Sequence, residues 1–267
     1  MLHKSQSIKL CIPDCHVFHR YHQDVAHLAG AMTHKEGEIL TDHALPRFFE
    51  TSINILDVNF EDQVANLGDK LDESYCSFSC DLGPNCQGWS LGQSSNGYPR
   101  YVPVLPSEKL DVLLKRCEQN TQILRNMFGG TVKVENLNYF STGAYEIVCD
   151  PSAISQLVEV GGVELLLDIG HAIISAQNLA MDPSRYINAL PLANVSEVHI
   201  SRPGILNGTW EDLHELPGDV EYGLLKQVAE RAPLRFVTLE YYQDAGYVQA
   251  QQILNRWCAQ MGHVHGV

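Results

Sequence analysis

The chain has 267 residues, with 18 Lys+Arg against 32 Asp+Glu, a formal charge of −14 when its 12 His are neutral. At 45% hydrophobic and 19% charged it can fill a core, which excludes global disorder, and its length matches the roughly 250 residues of a one-domain α/β barrel. The acidic balance argues against sequence-independent binding to a phosphate backbone. No run of about 18 apolar residues offers a membrane span, and the start, MLHKSQSIKLCIPDC, lacks an apolar stretch long enough for a signal-peptide core. These features predict a cytoplasmic chain that binds neither nucleic acid nor membrane. Its eight Cys then read as reduced thiols or metal ligands, not as a disulfide framework.

The first 50 residues carry His3, His16, His19, His22, His27, His34 and His43 and little apolar periodicity. Cys11, Cys15, His16, His19 and His22 lie close enough to suggest a metal cluster, yet no second Cys/His pair follows at a zinc-finger interval. A solvated His-rich loop is the competing reading. From residue 51 the text alternates. INILDVNF (53–60) and SYCSFSCDL (74–82) read as strands, followed by a loop over 83–106, rich in Gly, Ser, Asn and Pro and too long for a simple connector. Ser107 caps a helix whose Leu110, Leu113, Leu114, Cys117, Ile123, Leu124 and Phe128 keep a helical period until Gly129-Gly130. TVKVEN (131–136) is a strand. Asp150-Pro151 opens a helix that Gly161-Gly162 closes. VELLLDIG (163–170) is a continuous apolar run, as expected of a strand buried on both faces. Asp182-Pro183 starts another helix, and VSEVHIS (195–201) is a strand. A helix over 220–231, the strand RFVTLEYY (235–242) and a helix over 246–260 complete the series. The alternation predicts a (β/α)8 barrel, one domain over 1–267 with a divergent part over 1–50. No glycine-rich phosphate loop follows any strand.

Barrels of this kind carry their chemistry at the C-terminal ends of the strands. TVKVEN ends in Glu135-Asn136, VELLLDIGH in Asp168 with His171 three residues on, VSEVHIS holds His199 and RFVTLEYY holds Glu240. Burying a carboxylate after an apolar strand costs several kcal/mol unless it is paired or bound to a metal. Glu135, Asp168, His199 and Glu240 therefore predict one mixed oxygen/nitrogen site, suited to divalent iron, manganese or zinc. In TWEDLHELPGD, Asp212 and His214 alternate along an extended segment and can face one side. With His171 they form a second candidate site beside the first.

The order Glu135, Asp168, His171, His199, Asp212, His214, Glu240 resembles the ligand order of xylose-isomerase-like barrels, endonuclease IV included. A narrower match runs from VPVLPSEKL through VENLNYF, LLLDIGHAIISAQN and DPSRYINALPLANVSEVHIS to TLEYYQDAG. Over roughly residues 45–250 it is similar to the multinuclear non-heme iron oxidases, the methanobactin-biosynthesis oxidase among them; INILDVNFED resembles their early strand. The resemblance implies an iron-dependent barrel that oxidises cysteine in a ribosomally made peptide, and a partner protein that presents the peptide. It implies Glu135, Asp168, His199 and Glu240 around one iron, with His171, Asp212 and His214 at a neighbouring iron. That family often has Asn where His171 stands. It also supplies two further His from earlier strands, where this chain has none between His43 and His171. By analogy the corresponding third metal position is empty, or rebuilt by Cys76, Ser79, Cys80 or the His-rich N-terminus.

Two other classes compete. A redox-free barrel enzyme would act as a sugar isomerase or epimerase, with Glu135 and Glu240 as a carboxylate pair, or as a two-metal phosphodiester hydrolase. A degenerate partner of an active oxidase would keep the fold without the chemistry.

Overall fold

The computed structural model describes residues 7–37, 44–72, 74–92 and 100–264. Its N-terminal part holds β1 (Lys9–Pro13), α1 (His16–Val25), β2 (Ala29–Lys35), β3 (Arg47–Asn54), α2 (Phe60–Ala65) and β4 (Tyr75–Asp81). A hairpin of β5 (Trp89–Gly92) and β6 (Arg100–Pro103) precedes α3 (Leu110–Met127) and β7 (Thr131–Glu135). Then come α4 (Pro151–Gly161), β8 (Glu164–Asp168), α5 (Ile169–Asn178), α6 (Pro183–Ala189) and β9 (Val195–Ile200). A second hairpin, β10 (Arg202–Leu206) and β11 (Thr209–Glu215), leads to α7 (Asp219–Ala229), β12 (Phe236–Leu239) and α8 (Tyr247–Val264).

Eight of these strands close into a parallel barrel in the order β1-β12-β9-β8-β7-β4-β3-β2. The physical reason is the alternation within each strand. On β7, Val132 and Val134 face the surrounding helices while Lys133 and Glu135 turn inward; on β9, Val198 and Ile200 face out while Glu197 and His199 turn inward. The helix-facing side forms the main apolar core, with Leu113, Leu157, Ile173, Leu225 and Leu254 meeting it from the helices, each fully buried. A side chain of that size contributes about 1.5–3 kcal/mol when removed from water. The lumen holds a small separate cluster of Cys11, Ala31 and Phe48, against which Phe236 packs. Beside it lies a buried ion pair between Lys133 and Glu197.

The helix starts read from Asp-Pro pairs stand. The Asp150 side chain accepts from the Ala153 amide and Asp182 from the Arg185 amide, both at 2.9 Å, with proline in the first turn. Gly162 closes α4 in the left-handed region at φ +61, where a side chain would be strained.

Four expectations are corrected. The His-rich stretch is not a solvated loop: the described residues of the first 50 supply β1, α1, β2 and the start of β3, and apolar periodicity was hidden because α1 buries only Val17, Phe18 and Val25. The strand placed at 53–60 lies earlier, at Arg47–Asn54. The Asn54 carboxamide accepts from the Leu56 amide at 2.8 Å and turns the chain, so Ile55 and Leu56 are buried in a loop. The loop 83–106 contains the β5–β6 hairpin on either side of residues 93–99, which lie outside the described set. Ser107 does not cap α3, which begins after Lys109; its hydroxyl donates instead to the Gly143 carbonyl. No described helix is long and apolar enough to cross a membrane.

Candidate metal centre

The C-terminal ends of β7, β8, β9 and β12, neighbours around the barrel, bring Glu135, Asp168, His199 and Glu240 together. One donor atom from each lies within 4.8 Å of all the others. All four residues are buried. His199 Nδ1 lies 3.7 Å from Glu135 Oε1 and 3.5 Å from Glu240 Oε1. Neither ring nitrogen of His199 has a hydrogen-bond partner, nor has Asp168 Oδ2. Buried polar atoms are usually paired, and several unpaired donors meeting at one spot suit a water, an ion or a ligand. The donor set, three carboxylates and an imidazole, therefore fits a divalent metal.

Local structure explains each placement. Asp168 ends β8 and caps α5: its Oδ1 accepts from the His171 amide at 2.7 Å, which leaves Oδ2 aimed at the centre. The same cap places His171 on the first turn of α5. Its Nδ1 lies 2.8 Å from the Asn136 carbonyl, which can only accept, so Nδ1 carries the proton and Nε2 faces Asp212 Oδ2 at 3.3 Å. Asn136 clips β7 to β8, donating to the Asp168 carbonyl at 3.1 Å and accepting from the Asp168 amide at 2.9 Å.

Asp212 and His214 do face one side, with His214 Nε2 3.2 Å from Asp212 Oδ2 and 3.6 Å from Glu240 Oε2. The route is more than simple alternation. Between the pairs Arg202↔Glu215 and Gly204↔Glu211 the hairpin register shifts, and His214 sits in the left-handed region at φ 46. A bulge thus turns the imidazole toward the barrel.

The electrostatics are those of crowded buried carboxylates. Burial raises the Glu135 carboxyl well above the usual range against the pull of His199 and His171, and raises Asp168 to about 6. Burial also acts to raise Glu240, but the Lys35 ammonium and His199 hold it well below the ordinary value. Burial would lower His199 and His171; Glu240 for the first and Asp168 for the second reverse the direction.

All seven expected residues meet in one place. The replacements expected for the missing histidines do not. Cys76 is exposed near the start of β4, and Cys80 faces the helix layer, its Sγ 3.8 Å from the Lys133 carbonyl. Ser79 lies on the lumen face two residues below the strand end, its hydroxyl 3.4 Å from the Phe49 carbonyl. His16, His19, His22 and His27 lie on the exposed side of α1 and the turn after it, His19 pairing with Asp14 at 3.1 Å. His34, partly buried, meets the Tyr75 hydroxyl at 2.5 Å. Cys11 and Cys15 belong to different packing clusters, so the N-terminal Cys/His cluster does not assemble among the described residues. His3 and His43 lie outside the described residues.

Three charged residues of the earlier strands that border the site were missed. They are Lys35 on β2, Glu50 on β3 and Asp81 on β4, the last raised to about 7 by burial despite the pull of His171. The signal was present in RFFE and SFSCD, where an acid follows an apolar strand, but the misplaced strand at 53–60 obscured the first. Beneath the centre, burial works to raise the Glu197 carboxyl, but Lys133 and then His199 hold it down at about 2. Its Oε1 lies 3.6 Å from His199 Nε2, placing a carboxylate behind the imidazole.

A model of the RiPP precursor modification enzymes MbnB/TglH/ChrH matches residues 91–257. The chain belongs to that family. The match takes in all seven expected residues and leaves β1 to β4 outside. Among curated relatives, a UPF0276 protein of Caulobacter sp. (strain K31) is 25% identical over 145 residues, 53% of this chain and 52% of its own length. A UPF0276 protein of Streptomyces avermitilis is 29% identical over 110 residues, 41% of this chain and 22% of its own. The chain thus spans about half, or less, of the length of the curated relatives it matches. Among solved structures, D-psicose 3-epimerase from Clostridium cellulolyticum H10 superposes with a TM-score of 0.52 at 10% identity, covering 97% of this chain and 98% of that one. D-allulose 3-epimerase from Methylomonas sp. in complex with D-allulose gives 0.54 at 11% identity, covering 98% and 94%. At such identities the likeness is one of fold: a closed parallel barrel with helices between its strands.

Proposed function

We propose that this chain is a metal-dependent oxidase that acts on cysteine in a ribosomally made peptide, with Glu135, Asp168, His199 and Glu240 as ligands of one iron. His171, Asp212 and His214 serve a neighbouring ion, and Glu240, whose second oxygen faces His214, stands between the two. The observation that carries the metal reading is the set of four buried donors within 4.8 Å, with His199 and Asp168 atoms left unpaired. The peptide reading rests on family membership.

Iron, when bound, supplies the one-electron chemistry with dioxygen by which a thiol side chain is oxidised. The protein's residues do the rest. The Asn136 carbonyl accepts from His171 Nδ1, so that Nε2, beside Asp212, is the ring nitrogen that would meet an ion. Asp168 is held by its cap, and Glu197 backs His199. The two hairpins rise from the same mouth of the barrel and are tied by the Arg100–Glu211 ion pair. They and the segment after β6 expose Trp89, Leu91, Val104, Leu105 and Ile205, an apolar surface that suits a peptide segment and a presenting protein. The protein is proposed to work in the cytoplasm.

A redox-free epimerase is the competing reading, favoured by Glu135 and Glu240 flanking His199 Nδ1 at 3.7 and 3.5 Å. One experiment separates them. Protein purified without oxygen is measured for metal by plasma mass spectrometry and Mössbauer spectroscopy, then mixed with a cysteine-bearing peptide while dioxygen is followed. Iron at about two ions per chain, lost in His199→Ala, with peptide-dependent dioxygen uptake, supports the oxidase. Zinc or manganese without dioxygen uptake, together with ketose epimerisation, overturns it. Tight peptide binding with no turnover points to the degenerate partner.

A further inference from the structure

On the β2–β3–β12 side of the site the counter-charge comes from the chain itself. Lys35, the last residue of β2, pairs in register with Glu50 on β3. Its Nζ lies 2.8 Å from Glu50 Oε1 and 2.6 Å from Glu240 Oε1. The ammonium stands 5.5 Å from the centre of the Tyr242 ring, and the Tyr242 hydroxyl donates to Glu240 Oε1 at 3.0 Å. Glu50 is 8% exposed; its Oε2 has no hydrogen-bond partner and is turned toward His199 Nε2 at 3.9 Å. Asp81 ends the next strand, in register with Glu135. The carboxylates of Glu50, Asp81, Glu135, Asp168, Asp212 and Glu240 thus converge on one mouth, and Lys35 is the ammonium set among them.

We propose that the Lys35 ammonium is a built-in cation that takes the place of a metal ion between Glu50 and Glu240, so that Glu50 binds lysine and metal ions are held only by the donors of β7, β8, β9 and β11 together with the part of the Glu240 carboxylate that Lys35 leaves open. This rests on the metal reading above. The argument is steric and electrostatic. A divalent ion bound to Glu50 Oε1 and Glu240 Oε1 would sit within about 2–2.6 Å of both oxygens. That is the space Nζ holds, at distances typical of charge-assisted hydrogen bonds. An ion there would also meet a positive charge at contact range inside a site of low dielectric. Lys35 differs from a metal in one respect that matters: it cannot dissociate, so Glu240 keeps one oxygen positioned whether or not ions are loaded.

The test is the number of Mn²⁺ ions bound per chain by metal-stripped protein, from equilibrium dialysis read by plasma mass spectrometry, with circular dichroism to check the fold. Lys35→Met keeps the stem and removes the charge. It should bind one Mn²⁺ more than the unaltered protein, and that ion should vanish in the Lys35→Met/Glu50→Gln double variant. Lys35→Arg and Glu50→Gln alone should leave the count unchanged. Equal counts in Lys35→Met and the unaltered protein overturn the proposal, as does loss of an ion in Glu50→Gln alone. Should Lys35→Met fail to fold, Glu50→Gln decides. An unaltered protein that takes up no ion would sink the metal reading, whereas the lysine proposal is judged on the difference between the two proteins.

Discussion

The two halves of the barrel end their strands in different chemistry. β7 and β8 end in Glu135 and Asp168, His199 is the next-to-last residue of β9 and Glu240 follows β12 at once; all four meet at one spot, and the family match spans every one of them. β2 and β4 end in Lys35 and Asp81, β3 carries Glu50 in register with Lys35, and the match leaves all three out. Both halves belong to one closed parallel barrel, whose strands all run toward the same mouth. The difference is therefore one of side chains: the second half leaves His199 and one oxygen of Asp168 without partners, whereas the first half brings an ammonium that meets Glu50 and reaches across to Glu240.

Asp168 offers the sharpest way to break this comparison. Asn is as good a helix cap as Asp, so Asp168→Asn keeps α5 while removing an anionic donor. Metal affinity should fall by about 100-fold or more, while stability without metal stays within about 0.5 kcal/mol. Calorimetric titration and urea unfolding check both, and unaltered affinity would remove Asp168 from the ligand set.

The floor beneath the site comes next. Lys133 and Glu197 are both buried and paired with each other. Lys133→Met should cost about 3–5 kcal/mol in urea unfolding by stranding the Glu197 carboxylate, and Lys133→Met/Glu197→Leu should recover most of that loss. A single variant as stable as the parent would mean that the pair does not hold the lumen.

Arg116 links the halves. From α3 it donates to the Leu56 carbonyl in the loop after β3 at 3.2 Å and binds Glu108 through both terminal nitrogens. The hydrogen bonds from Arg116 lower the Glu108 pKa in spite of burial. A carboxyl lowered in the folded state adds stability above its unfolded pKa and loses it as the pH falls. Arg116→Met should therefore destabilise by about 1–2 kcal/mol near neutrality. The gap should close between pH of about 5 and about 3; a pH-independent gap in thermal unfolding would contradict it.

The smallest effect tests the discarded ligand. Cys76→Ser should leave metal content unchanged and stability within about 0.5 kcal/mol, because Cys76 is exposed and remote from the strand ends. Loss of an ion in that variant would restore the thiol to the site.

Legibility in the sequence followed burial. The strands from 131 onward were readable because β8 and β12 are mostly apolar runs and β7 and β9 keep an apolar helix-facing side, so that Glu135, Asp168, His199 and Glu240 stand out as acids and an imidazole at or near the ends of buried strands. The Asp-Pro helix starts were readable because capping is local and needs no tertiary partner. β1 and β2 were not readable: KLCIP and AGAMTHK are short and weakly apolar, and they owe their strand state to neighbours distant in sequence, such as the pairing of β1 with β12.

By itself, then, the sequence determined the barrel, the alternation of its second half and the seven side chains at its mouth, because period, caps and strand-end acids are properties of adjacent residues. Only the tertiary structure decided that Lys35 meets Glu240, 205 positions away, that Glu197 stands behind His199 and pairs with Lys133, and that a bulge turns His214 inward. Those contacts depend on register and on closure of the sheet, which no local pattern encodes.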